Sequence, residues 1–198
     1  GRMGATAACA KLLKLDHRQV KMALGIAGSM ASGVSHSLGT MTKPLHAGLA
    51  ARDGVMAAEL AARGWTAGER ILEHPAGFIE AFFRAGDDAQ KLVERLGNPF
   101  RIQDMVMLKK YPCGGSNHFT IDALLELMQE HHFDYRDVAE VEVQQAYYSV
   151  YIDPINERPE TGLQGKFSMV YNAAATLVLG KIDIDTFTDE RIHDPRIL

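Results

Sequence analysis

Lys43 stands between Thr42 and Pro44 in "MTKPLH", with no acidic residue beside it in sequence. A cation at a helix entrance either rests in solvent or binds a carboxylate or a developing enolate, helped by the positive end of the helix dipole. His46 lies one turn further in, within reach of the same anion. In "YPCGGSNH", residues 111–118, a proline and two glycines form a tight turn ahead of a helix that Asn117 is placed to cap. His118 then falls in the first helical turn, where the dipole disfavours the imidazolium and suits proton transfer near neutrality, although the ring could equally supplement the cap. Cys113 precedes it by five positions, but one cysteine and one histidine in a turn are a thin pattern for a thiol nucleophile with its base. A third stretch, "ERPETGLQGKFSMVY", brings Arg158, Lys166 and Tyr171. The two cations suit an anionic substrate, and the tyrosine is either a donor to a substrate oxygen or a half-buried packing residue with a wet hydroxyl.

The elements that must position these groups are mainly helical. "GATAACAKLLK" reads as helix interior from almost the first residue, and Asp16 with Gln19 forms a capping-box pattern before apolar positions at helical spacing up to about Gly33. Pro44 suits a first helical turn and Gly64 a left-handed C-terminal cap, so the second long helix is expected over 44–64. That helix is built almost entirely of small residues. Glycine in a helix interior costs about 0.5–1 kcal/mol relative to alanine, so Gly48 and Gly54 call for a close approach by neighbouring helices. Shorter helices are expected around 67–73, with Thr66 and Glu69 as its capping pair, and at 77–84 and 88–96. After "GNP" the texture changes, which places a domain boundary near residue 98. "RIQDMVMLKKY" and "VAEVEVQQA" suit strands, while "NHFTIDALLELMQEH" and "FSMVYNAAATLVLG" suit helices.

Composition narrows the chemistry further. The 198 residues carry a formal net charge of −4 and 46% hydrophobic residues, with no basic run, which argues against a nucleic-acid surface. An anionic small substrate would need locally placed cations. Two cysteines with no metal-type spacing, and no signal peptide, fit reduced thiols in a cytoplasmic compartment. No HExxH, CxxC or acidic cluster calls for a metal, and adjacent His131 and His132 point in different directions on a helix. Neither GxGxxG nor GxxxxGK[ST] is present, so no nucleotide cofactor is expected. No apolar run reaches the length of a membrane span.

Four ordered blocks, "ALGIAGSMASGV", "TKPLHAGLAARDGVMAAELAARGWT", "YPCGGSNHFTIDALLEL" and "GKFSMVYNAAATLVLG", together resemble the MmgE/PrpD family, which includes 2-methylcitrate dehydratase, cis-aconitate decarboxylase and an iminodisuccinate epimerase. The resemblance covers nearly the whole chain. It implies part of an all-helical domain over 1–98 and an α+β lid over 99–198, with the start of a return to the helical domain at its end. It also implies a cleft site without metal or organic cofactor and a homodimeric assembly. By resemblance Lys43 is an active-site cation, His118 comes from the lid and Tyr171 faces the pocket; His46, Arg158 and Lys166 are the accompanying substrate-binding candidates. Family chains are more than twice this length, and their motif with an active-site histidine followed by threonine lies upstream of the point matching Gly1, so the chain reads as an internal fragment. The expected activity is a hydro-lyase acting on a small di- or tricarboxylate such as 2-methylcitrate, an acid of propionate metabolism. Decarboxylation of cis-aconitate or epimerisation of an amino-dicarboxylate are the alternatives within the family, and an inactive piece that only folds or associates is the alternative outside it.

Overall fold

Asp16 accepts a hydrogen bond from the Gln19 amide while the Gln19 side chain returns one to the Asp16 amide, at 2.8 and 3.0 Å, and this box starts a helix as the sequence predicts. A computed structural model describes residues 1–37, 39–84, 89–100, 102–144 and 157–198. The helices are α1 (Arg2–Leu12), α2 (His17–Ser29), α3 (Thr42–Ala62), α4 (Phe78–Phe82), α5 (Ile102–Met105), α6 (Asn117–His131), α7 (Gly162–Gly165), α8 (Met169–Leu179) and α9 (Asp189–Ile192). Short 3₁₀ turns occur among them. Among the described residues the chain is mainly helical and contains no β-strand.

Two compact units divide the chain. One comprises Gly1–Gly33 and Pro44–Val106; the other comprises Val34–Lys43 and Met107–Leu198. The excursion of Val34–Lys43 into the second unit is not foreseen by a single boundary near residue 98, and it carries Lys43 with it.

In the first unit α1 and α2 pack as a hairpin, and Met22, Ala23 and Ala61 form a small core with Leu15 and Ile26 against it. Gly48 and Gly54 differ in their surroundings. A Cβ on Gly54 would lie 2.4 Å from the Ala5 Cβ and 2.8 Å from the Ala5 carbonyl carbon, so α1 crosses α3 at a separation only glycine permits. A Cβ on Gly48 would meet nothing within 4 Å, so that residue is not explained by packing. Beside Gly54, Asp53 is 1% exposed, a buried charge that small-residue patterning does not announce. The Arg2 Nε donates to it at 2.5 Å and Arg52 donates twice to its other oxygen. Arg2 also donates to the carbonyl and hydroxyl of Ser32, so one guanidinium ties α1 to α3 and to the segment after α2. The Arg2 hydrogen bond holds the Asp53 carboxyl below its usual range, against the opposing effect of burial.

The second unit is centred on α8, whose Ser168 side chain accepts from the Tyr171 amide at its start and whose Gly180 is left-handed at its end. α6 packs along α8. Ile121, Tyr171, Ala175, Phe187 and Ile192 meet in the core; burying Ile121 completely is worth about 1.5–3 kcal/mol. Both strand expectations fail where they can be compared. In the first segment, whose position 101 lies outside the described residues, Ile102–Met105 forms the single turn α5 and the chain then runs without regular structure, with Met107 and Leu108 exposed. In the second, Val138–Gln144 has no regular structure, and its last two positions, 145 and 146, lie outside the described residues. β-branched composition favours a strand only where a neighbouring strand offers a ladder, and neither segment has one among the described residues. The helix expected at 67–73 is irregular chain followed by turns, and that at 88–96, whose position 88 lies outside the described residues, shrinks to a 3₁₀ turn, Ala89–Leu92.

Two glycine replacements separate these causes. Gly54→Ala should lower the unfolding free energy by about 1–3 kcal/mol through overpacking against backbone, whereas Gly48→Ala should raise it by about 0.5–1 kcal/mol; urea midpoints measure both. For Asp53 the native value is depressed, so its stabilisation is complete above the ordinary carboxylate value near 3.8 and is lost as pH falls through the native one. Asp53→Asn should therefore flatten the acid limb of a stability-against-pH curve.

Candidate functional site

The turn before α6 is held by one carbonyl. Lys166, in the loop before α8, accepts from the Gly114 amide at 2.7 Å and from the Asn117 Nδ2 at 3.3 Å. Asn117 is therefore not the cap that its side chain suggests. It is the first helical residue, fully buried, with Ser116 at the cap position. Its amide is spent on a contact between segments, a use that sequence spacing does not reveal. From the other side, the Asn172 Nδ2 of α8 donates to the carbonyls of Gly165 and Ser168 at 2.9 and 2.6 Å. Two asparagines thus grip residues 165–168.

His118 sits in the first turn of α6 as expected. Its ring stands at 80° to that of Tyr111, with centroids 5.3 Å apart. Its Nε2 is buried and has no hydrogen-bond partner among the described residues. Asp122, one turn further along α6, directs its carboxylate elsewhere: Oδ1 accepts from the Lys110 ammonium at 2.5 Å and from the Tyr111 hydroxyl at 2.6 Å. The Lys110 hydrogen bond holds the Asp122 carboxyl below the usual carboxylate range and raises the lysine in turn, while burial raises the Tyr111 phenol. At neutral pH this is an ionised lysine–carboxylate pair with a neutral phenol donating to it. Lys110, Tyr111 and Asp122 are the part of this cluster that residue-type reasoning passes over; the position of Asp122 four residues after His118 on one helical face is the signal that points to it.

Lys43 is exposed at the start of α3, in the stretch counted with the second unit, and its ammonium has no ion-pair partner among the described residues. His46 belongs to the first unit, its ring lying about 3.5 Å from where a Cβ on Gly33 would stand. Arg158 is exposed. Lys166 is half-buried with its Nζ 5.9 Å from the Phe187 ring centroid, so its backbone holds the turn while its cation lies over an aromatic face. Tyr171 is 3% exposed and donates its phenolic proton to the Thr186 carbonyl at 2.6 Å. Burial pushes that phenol up to about 12, so the proton expected to reach a substrate is here given to backbone. Cys113 is buried and its thiol is pushed up to about 11 by desolvation, which removes the thiolate that a nucleophile would need.

A cavity of about 450 Å³ lies in the second unit, walled by residues such as Phe119, Leu124, Leu127, Phe133 and Val141. It carries two glutamates, Glu140 and Glu142, and no cation or histidine, so it does not suit a carboxylate. No group of three metal-ligating side chains occurs among the described residues. Nor is any described helix long and apolar enough to cross a membrane.

Comparison with known proteins gives these positions a context. A model of the MmgE/PrpD N-terminal domain matches residues 1–91, and one of the MmgE/PrpD C-terminal domain matches residues 111–198. Human cis-aconitate decarboxylase is 29% identical over 206 residues, covering 100% of this chain and 41% of the relative. The mouse protein of the same name is 28% identical with the same coverage. Cis-aconitate decarboxylase of Aspergillus terreus is 28% identical over 208 residues, covering 96% of this chain and 42% of the relative. The chain spans about two-fifths of the length of these relatives, 41–42%.

Tyr171→Phe should cost about 1–3 kcal/mol of stability by leaving the Thr186 carbonyl without this donor, measured by denaturant unfolding. Iodoacetamide at pH 8 should label half-buried Cys9 well before Cys113, as mass spectrometry of the peptides will show.

Proposed function

The chain belongs to the MmgE/PrpD family, and on that premise we propose that it serves a lyase acting on a small tricarboxylate without metal or organic cofactor, with decarboxylation of cis-aconitate as the reaction. The observation that carries this reading is the His118 Nε2: a buried ring nitrogen at a helix start, in the segment matched by the family's C-terminal domain, left without a partner. The relatives' names favour decarboxylation over the dehydration of 2-methylcitrate suggested by sequence alone, for which they offer no specific support.

The chemistry asks for two groups. Loss of carbon dioxide from the saturated arm of cis-aconitate sends its electron pair into a new terminal alkene. The electrons of the old alkene move onto the carbon beside a remaining carboxylate, and the resulting enolate is stabilised by a cation placed where its charge develops. Lys43 is that cation in this proposal, supported by an ammonium without an ion-pair partner among the described residues and by its place in the same compact unit as His118. A proton then returns to the carbon, and His118 supplies it. His46, Arg158 and Lys166 remain proposals for holding the other carboxylates. Tyr171 is also kept as a proposal, one that requires its hydroxyl to leave Thr186. The finer architecture, an α+β lid and a homodimer, is likewise proposed, with family membership as its support.

Turnover tests the proposal directly. The 198-residue chain and the full reading frame that encodes it should be assayed with cis-aconitate and 2-methylcitrate, following carbon dioxide release and product structure. Lys43→Ala and His118→Gln in the active form should each lower kcat by about 10²–10⁴. Full turnover by either variant removes that residue from the mechanism, and dehydration of 2-methylcitrate without carbon dioxide release would assign the hydro-lyase branch instead.

A further inference from the structure

We propose that Asp122 is a positioning residue that fixes the direction in which His118 presents its imidazole. This rests on the reading of His118 as the proton donor. One turn of helix separates the two residues, so Asp122 could have taken the histidine's ring proton directly; instead its Oδ1 is occupied by the Tyr111 hydroxyl and the Lys110 ammonium. Tyr111 is thereby restrained on three sides. Its hydroxyl is fixed at 2.6 Å by the carboxylate, its ring face lies 5.2 Å below the Lys110 ammonium, and its ring meets His118 nearly at a right angle. The ring is 6% exposed and cannot swing into solvent without uncovering that packing. With Tyr111 held, the imidazole has one wall fixed, and the Nε2 is kept in a buried position with no partner among the described residues. A carboxylate bonded straight to the histidine would hold it too, but would compete for its proton. Acting through a phenol, Asp122 restricts the ring's motion and leaves its reactive nitrogen available.

The test reads the ring itself. In the 198-residue chain, the His118 Hδ2 and Hε1 resonances carry a ring-current displacement from Tyr111. Asp122→Ala should move them toward free-histidine positions, Tyr111→Phe, which keeps the ring and removes the hydroxyl bond, should move them in the same direction, and the double variant should add little. Asp122→Asn, whose carboxamide oxygen still accepts from Tyr111, should give an intermediate shift and serves if the alanine variant fails to fold. In the catalytically active form, Asp122→Ala should lower kcat about tenfold to a hundredfold with KM nearly unchanged. Unmoved His118 resonances in both Asp122 variants overturn the proposal, as does an unchanged kcat where His118→Gln loses turnover. Should His118→Gln keep full turnover, the catalytic reading of His118 fails by itself, while the resonances still decide whether Asp122 holds the ring.

Discussion

The carbonyl of Lys166 is the fixed point of the second unit. Two hydrogen bonds converge on it from the turn that begins α6, and the Asn172 side chain holds the same loop from α8. A turn containing Pro112, Gly114 and Gly115 has few side-chain contacts with which to define itself, so its shape is imposed from outside by backbone bonding. The placement of His118 depends on that anchoring, because the first turn of α6 can aim a ring only if the preceding loop is held. The grip has a cost: the Oδ1 atoms of both Asn117 and Asn172 are buried without partners among the described residues. A segment that tolerates two such unpaired acceptors is specified for its geometry more than for its stability.

The family assignment and the residue-level chemistry rest on different kinds of support. Membership draws on two matched domains covering most of the chain. Lys43 and His118 draw on setting: one is an exposed cation without an ion-pair partner among the described residues, the other a ring nitrogen without a hydrogen-bond partner there. Their combination suits a reaction in which negative charge grows beside a carboxylate and is then quenched by a proton. Tyr171 is of another sort, a core tyrosine whose hydroxyl closes α8 onto the 184–187 turn.

Helix positions were legible wherever a local cue coincided with a periodic pattern. The Asp16 box, the left-handed Gly64 and the whole of α6 follow from short-range chemistry that needs no knowledge of tertiary contacts. The two valine-rich segments were not legible as they stand, because a strand depends on a partner that composition cannot locate. Within the site, sequence pointed to His118 through its turn but missed Lys110 and Asp122, whose pairing joins positions twelve apart across that turn. Asn117 misled for the same reason: its residue type fits a cap, and only packing shows that its amide is spent on Lys166. The small residues of α3 implied a close helix crossing, which Gly54 fulfils and Gly48 does not, while the buried Asp53 beside Gly54 had no local signature at all.

The Arg2–Asp53 pair also bears on the order in which the first unit assembles. α1 and α2 are joined by a short connection and can form a hairpin from contacts near in sequence, as helical pairs do quickly. Docking that hairpin on α3 is a different event, since Arg2 and Asp53 are 51 positions apart and the chain between them must be closed before their charges meet. Local hairpin first and long closure second is therefore the route of least entropic cost. In reverse, release of the α1 end from α3 is a partial opening that leaves the hairpin intact, so a helix at the start of the chain reports on a contact made near the middle of α3.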